Sequence, residues 1–365
     1  MKNEALIAVA GAGKTEGIVQ RFAHSEKRTL FITYTSTGQT ELKSRLMAAA
    51  PRAGHEVLGW YGFLIDHFLK PFIPDYLGPG SRYLGFNRDY RPERWDKGFR
   101  KHFDYEGRVG GQSIAFVTRK ISEANKMQPI ERLESIYEQI VIDEVQDLAA
   151  NDLVILEYLL KSRLSILMVG DMRQTVFETS TSDRKYPQFR KAAKLGWFEM
   201  MNEKGLLDLR FSSVNKRCHQ DIVRISNFVF SPDYNFPNAT SEHCDIGEGF
   251  GLHHVSPDQV SSYCEKFKPL ALRWGKGSEK EWDTRLDFDT FGNVKGRTVD
   301  HVLIFPTDAM KKFLAGGAPI EKDEPAAKFY VGLTRARYSV GFVLPANFTF
   351  GERLDPSSFK IWTAT

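Results

Sequence analysis

An α/β protein built as two parallel-sheet domains is what the sequence predicts, and three observations predict it. Short apolar runs of strand type alternate with segments of helical spacing in both halves of the chain. The first of these runs breaks into a glycine-rich loop that opens onto a helical pattern. The length, 365 residues, holds about two domains of ordinary size.

Ala5-Leu6-Ile7-Ala8-Val9 is the first strand, stopped by Gly11-Ala12-Gly13. The run Thr29 to Tyr34 is rich in β-forming residues and gives way to Thr35-Ser36-Thr37-Gly38, after which Glu41 to Met47 has helical spacing. Ile140-Val141-Ile142 and Leu164 to Val169 read as two further buried strands. Between them Asn151 and Asp152 stand where a cap belongs, ahead of a helix through Leu156 and Leu160. From Pro71 to Gly111, Gly, Pro, Arg and aromatic residues dominate, which predicts a small loop-rich subdomain inserted at about 66–125. The alternating texture returns after about residue 205. Ser256-Pro257 reads as an N-cap with proline at the first helical position, and Val299 to Phe305 and Tyr338 to Val343 read as strands. The expected domains are therefore 1–205 and 206–365, the second with a reduced insert at about 235–282.

Composition is that of a soluble globular chain: 42% hydrophobic and 26% charged residues exclude wholesale disorder and collagen-like repetition. No apolar run approaches the roughly 18 residues of a membrane span, and no small-residue cleavage site follows Ala5 to Ala10, so neither a membrane segment nor a signal peptide is expected. Cys218, Cys244 and Cys264 are few, odd in number and far apart, which argues for a reducing cytoplasm over a disulfide framework. The formal net charge of +4 permits a polyanionic partner without requiring one. Aromatic residues at 13% leave rings to spare for stacking surfaces after the core is filled.

Three constellations carry chemistry. The first is Ala10-Gly11-Ala12-Gly13-Lys14-Thr15 after the opening strand. Glycines let the backbone curl so that its N–H groups face a phosphate, Lys14 reaches the β- and γ-phosphates, and the Thr15 hydroxyl is a ligand for Mg²⁺. Ala8 stands where the strict G-x-x-x-x-G-K-S/T pattern has its first glycine. The second is Asp143-Glu144-Val145-Gln146-Asp147 at the carboxyl end of a buried strand, where open parallel sheets bind ligands. Asp143 suits a water-mediated Mg²⁺ contact and Glu144 suits activation of an attacking water. The third is Gly170-Asp171-Met172-Arg173-Gln174, followed by Phe177: Gln174 can sense a γ-phosphate and Phe177 can stack on a base.

Together these motifs resemble the superfamily 1 DNA helicases of the UvrD/Rep type. The later half of the chain agrees. Asn215-Lys216-Arg217-Cys218 is similar to the family's N-Y-R-S/C motif, and Val294-Lys295-Gly296 with Val299 to Val302 is similar to its fifth motif. Tyr330-Val331-Gly332-Leu333-Thr334-Arg335-Ala336-Arg337 is similar to its sixth, Y-V-A-L-T-R-A-R. The resemblance implies two RecA-like P-loop NTPase lobes with ATP and Mg²⁺ as cofactors. It gives Lys14, Thr15, Asp143, Glu144 and Gln174 to one lobe, makes Arg217 and Arg335 arginine fingers, and puts Gly296 at the nucleotide. Single-stranded DNA is the implied partner, with Thr33, Tyr34, Trp60, Phe63 and Phe177 along its track and 3′ to 5′ polarity. For Trp60 and Phe63 the competing reading is packing against Leu64 and Phe68.

The chain also departs from the family. Nothing upstream of Gly11 supplies the glutamine that reads adenine, Thr298 replaces a motif V glutamate, and the stretch 235–282 is too small for the usual large subdomain. The last departure supports an alternative: a DNA-dependent ATPase subunit that powers or regulates a partner, such as a nuclease or a replication or defence factor. The histidines and cysteines between His219 and Cys264 lack the close pairs of zinc sites, and neighbouring His253 and His254 on a strand point to opposite faces, so no metal centre is expected there.

Overall fold

The computed structural model of the chain describes residues 3–51, 54–180, 184–275, 286 and 288–363. The chain divides into two compact units. One comprises Met1–Ile7, Lys14–Met172 and Phe177–Arg210; the other comprises Ala8–Gly13, Arg173–Val176 and Phe211–Thr365.

The first unit is built on strands β1 (Glu4–Ala8), β2 (Thr29–Thr33), β3 (Glu56–Gly59), β6 (Gln139–Ile142), β7 (Ser165–Gly170) and β8 (Asp208–Ser212), with β4 (Phe86–Asn87) and β5 (Val109–Gly110) forming a separate small pair. The six-stranded sheet has the order β3-β2-β6-β7-β1-β8. The pairs β1–β7, β2–β3, β2–β6 and β6–β7 all run parallel. Parallel neighbours need crossovers, and helices supply them: α1 (Lys14–Phe22), α2 (Ser36–Ala49), α3 (Trp60–Leu64), α4 (Lys70–Leu77), α5 (Ile114–Ala124), α6 (Gln128–Ile136), α7 (Asn151–Leu160) and α8 (Leu195–Glu203). Every residue of β6 is buried, as expected of a central strand covered on both faces. One side of the sheet packs Phe31, Val141, Leu167 and Val169 against Ile18, Phe22, Leu42 and Leu46 of α1 and α2.

The second unit carries α9 (Gln220–Ser226), α10 (Val260–Phe267), α11 (Asp308–Gly316) and α12 (Asp323–Leu333). Strands β9 (Val214–His219) and β10 (Thr240–His243) form a parallel pair. The main sheet orders β13 (Phe288–Thr290), β12 (Leu270–Arg273), β14 (Val299–Ile304), β15 (Ala336–Val343), β11 (Gly251–Val255) and β16 (Phe359–Ile361), every pair parallel. The fold class is thus the expected one: α/β, with two six-stranded parallel sheets. No helix among the described residues is long and apolar enough to cross a membrane.

Local differences from the sequence reading have physical causes. Asn151 and Asp152 do not cap α7; they are its first two residues, and the cap position is Ala150, with φ 57° and no side-chain bond. Asp152 is fully buried and is spent on tertiary bonds instead, accepting from Trp60 Nε1 at 2.6 Å, from the Thr179 hydroxyl and from the Ala149 N–H. The loop-rich insert is confined to the stretch between α4 and α5, since α5 packs on α7. Within it, Asp104 is a hub: against the burial that would raise it, bonds from Asn87 and Arg108 bring its carboxyl down to about 2. Of the expected second insert, residues 276–282 lie outside the described residues.

Candidate functional site

In a parallel sheet all carboxyl ends lie along one edge, and β1, β7 and β6 are neighbours there. In the first unit that edge gathers four of the expected residues. Thr15, in the first turn of α1, donates its hydroxyl to Asp143 Oδ2 at 3.2 Å. Asp143 follows β6 and accepts the Glu144 N–H on Oδ1 at 2.9 Å. Glu144 adopts the left-handed conformation, φ 57° and ψ 37°, a strained geometry for a non-glycine residue and one that concentrates at working sites. Burial, and then the adjacent Glu144 charge, push the Asp143 carboxyl up to about 7, with the Lys14 ammonium pulling the other way.

A desolvated carboxylate beside a hydroxyl is a donor set that could hold Mg²⁺, which is commonly bound by one or two protein ligands plus phosphate oxygens. Asp143 and Thr15, bonded to each other at 3.2 Å, are the residues here that could supply such a pair. His253 and His254 are core residues: His253 Nδ1 bonds the Tyr263 hydroxyl at 2.9 Å, and His254 Nε2 reaches the Pro345 carbonyl at 3.0 Å.

The second unit gathers the rest around the stretch Ala8–Gly13. Gly11 and Gly13 have φ of +72° and +77°, a region closed to most side chains. A Cβ on Gly11 would also lie 2.7 Å from both Asn215 Oδ1 and Arg217 Cβ, so glycine is required twice over. The Ala10 N–H donates to the Tyr330 hydroxyl at 3.3 Å, and the Gly11 carbonyl accepts from the Lys216 N–H at 2.9 Å. Ala12 turns back through its N–H to the Val9 carbonyl. Arg335 is almost wholly buried; its guanidinium donates to Gln174 Oε1 at 3.4 Å, to the Val331 carbonyl and to the Arg297 carbonyl beside Gly296. Arg217 donates to the Thr334 carbonyl at 3.3 Å. Arg337 lies outside this group, in a surface pair with Asp300.

The residues expected on a nucleic-acid track separate by burial. Phe177 is 46% exposed and Tyr34 half-buried, so their rings are accessible. Trp60 and Phe63 are not. They are 1% and 0% exposed, their rings meet at a tilt with centroids 5.5 Å apart, and Phe63 packs edge-on to Phe68. Both are core residues, because the indole N–H is committed to Asp152 and the phenyl ring to the α3–α4 interior. Thr33 is buried as well, at the end of β2. Tyr61, next to Trp60, is half-buried, and its ring meets Tyr34 edge-on at 6.0 Å. Two groups were given no role by the sequence: Gln146, which stands within the acidic motif and bonds Glu144 through its side chain, and the buried Lys194.

Residues 1–180 match a family described as an AAA domain. Among solved structures the chain is similar to the PRRSV helicase, at 13% identity and a TM-score of 0.46 over 94% of this chain and 53% of that one. It is similar also to arterivirus nonstructural protein 10, a helicase, at 13% identity and a TM-score of 0.47 over 94% of this chain and 60% of that one. A complex of that arterivirus protein with DNA gives 14% identity and a TM-score of 0.46 over 94% and 61%. The chain spans roughly half to three fifths of the length of these proteins. No curated protein matches the chain.

Proposed function

We propose that this protein is an ATP-dependent single-stranded DNA translocase and helicase of superfamily 1, UvrD/Rep type, moving 3′ to 5′. The observation that supports it most is the joining of Lys14, Thr15, Asp143 and Glu144 at the carboxyl edge of a parallel sheet, with Thr15 bonded to Asp143. Phosphoryl transfer to water needs the phosphates held, the developing charge neutralised and the water placed. Lys14 and the N–H groups of the glycine loop bind the phosphates. Asp143 and Thr15 would hold Mg²⁺, which supplies charge neutralisation on the phosphate oxygens. Glu144 orients the attacking water and accepts its proton. Arg335 and Gln174, already bonded to each other, are suited to recognise the γ-phosphoryl, with Arg217 as a second cation. The accessible rings of Phe177 and Tyr34 grip bases without reading their identity.

The test is hydrolysis by purified protein with single-stranded DNA, duplex DNA, RNA or no nucleic acid, using several nucleotides. Strong stimulation by single-stranded DNA is expected. Lys14→Ala and Glu144→Gln, folded by circular dichroism, are each expected to lower kcat by about a hundredfold or more; unchanged turnover in either sinks the assignment. Translocation without unwinding of a 3′-tailed duplex would favour the ATPase subunit that powers a partner.

A further inference from the structure

Lys194 has no exposed side-chain surface. It closes the short turn Lys191–Lys194 just ahead of α8. A buried ammonium is costly unless charge and hydrogen bonds offset the lost hydration, so what surrounds it is informative. Its Nζ donates to the backbone carbonyl of Gln146 and lies 3.3 Å from Glu178 Oε1, a carboxylate that is itself 7% exposed. Glu178 also accepts the Lys191 N–H at 2.9 Å and faces Arg190 at 3.6 Å.

Gln146 is the residue that Lys194 holds, and its side chain spans two strand ends. Nε2 donates to Glu144 Oε2, while Oε1 accepts the Asp171 N–H at 3.1 Å. Gly170 leaves room for this bridge, since a Cβ there would sit 2.5 Å from Gln146 Oε1. At the other end of the chain of contacts, Glu178 directly follows Phe177, the most exposed ring of the candidate nucleic-acid surface. An unbroken path therefore runs Phe177, Glu178, Lys194, Gln146, Glu144, all within the first unit.

We infer that Lys194 is a positioning residue: its ion pair with Glu178 sets the place of Gln146, and through it the Glu144 carboxylate, so that a base stacked on Phe177 is felt where water is activated. This rests on the proposed function and adds to it the route by which nucleic acid stimulates hydrolysis. Coupling of this kind needs packed, hydrogen-bonded groups that cannot move independently, and burial of both charges provides that.

The experiment compares wild type with Lys194→Met, Lys194→Arg and the double variant Glu178→Gln/Lys194→Met, which leaves neither charge of the pair buried without its partner. Affinity for a fluorescent ATP analogue, affinity for single-stranded DNA, and kcat and KM with and without that DNA are measured. In Lys194→Met both affinities and KM should stay within about twofold, while the ratio of stimulated to unstimulated kcat falls about tenfold. Lys194→Arg should recover part of that ratio. If Lys194→Met does not fold, the double variant decides, and it should show the same loss. A folded variant that keeps the full stimulation ratio, even with a lowered melting temperature, overturns the positioning role. Wild type that shows no stimulation by any nucleic acid overturns the proposed function, and this inference with it.

Discussion

Trp60 illustrates how much a single residue's meaning depends on partners far off in the chain. Family resemblance put it on a nucleic-acid track, with packing against Leu64 and Phe68 as the competing reading. In the fold its indole N–H is bonded to Asp152, 92 residues away, in a fully buried pair. Trp60→Phe keeps an aromatic ring, a smaller one, and removes the donor, leaving Asp152 with Ala149 and Thr179. It should lower stability by ~1–2 kcal/mol, the cost of a lost buried bond to a carboxylate, and leave single-stranded DNA affinity within about twofold. A fall in affinity of more than tenfold with an unchanged denaturation midpoint would restore Trp60 to the binding surface. Lys14, Thr15, Asp143 and Glu144 were legible without the fold because their spacing from a strand end is local. Gln146 and Lys194 were not, because glutamine and lysine are surface residues by default and only burial gives them roles.

At the scale of elements, strands were easier to read than helix ends. Buried parallel strands announce themselves as continuous apolar runs, Ile140 to Ile142 within Gln139–Ile142 and Ile166 to Val169 within Ser165–Gly170. Helix ends depend on what they bury, as the displacement of the cap from Asn151 to Ala150 shows. Helix α12 offers a sharper case. Gly332 stands where the family motif has alanine, and a Cβ there would meet the Phe291 ring at 2.6 Å and 2.7 Å. Phe291 is fully buried, so the two positions compensate in volume. Gly332→Ala gains ~1 kcal/mol of helix propensity but overpacks a filled core at ~1–3 kcal/mol. Net destabilisation is expected by urea unfolding, and Phe291→Leu in the same chain should reverse it. A single variant more stable than wild type would show that the ring yields freely.

At the scale of the whole molecule, buried neutral histidines tie stability to pH. Burial lowers the affinity of His67, His253 and His301 for a proton, helped at His67 by Arg132 and at His253 by Lys360. His253 titrates near 6.5 when unfolded and at about 4 when folded. Unfolding therefore takes up a proton between these values, so the stability His253 contributes is fully present above pH 6.5 and is lost as pH falls toward 4. The gap corresponds to ~3 kcal/mol at most. Asp143, raised by burial, titrates in the opposite sense, so the effect is read as a difference between chains. Chemical denaturation at pH 7 and pH 5 should show a smaller acid loss in His253→Gln than in wild type; parallel losses would contradict the assignment.

The sequence by itself determined the α/β class, the alternation that builds two parallel sheets, and the placing of a glycine-rich loop and acidic residues at strand ends, because these follow from apolar periodicity and short-range spacing. It also determined that Gly11 must curl the loop, although the closeness of Asn215 and Arg217 gives that glycine a second reason. Only the tertiary structure decided which aromatic rings are core and which are surface, sending Trp60 and Phe63 inward and leaving Phe177 outside. Only it joined Lys194 to Gln146 and Glu178. The physical reason is the same throughout: burial and hydrogen-bond pairing are properties of residues brought together from distant parts of the chain, and no local pattern records them.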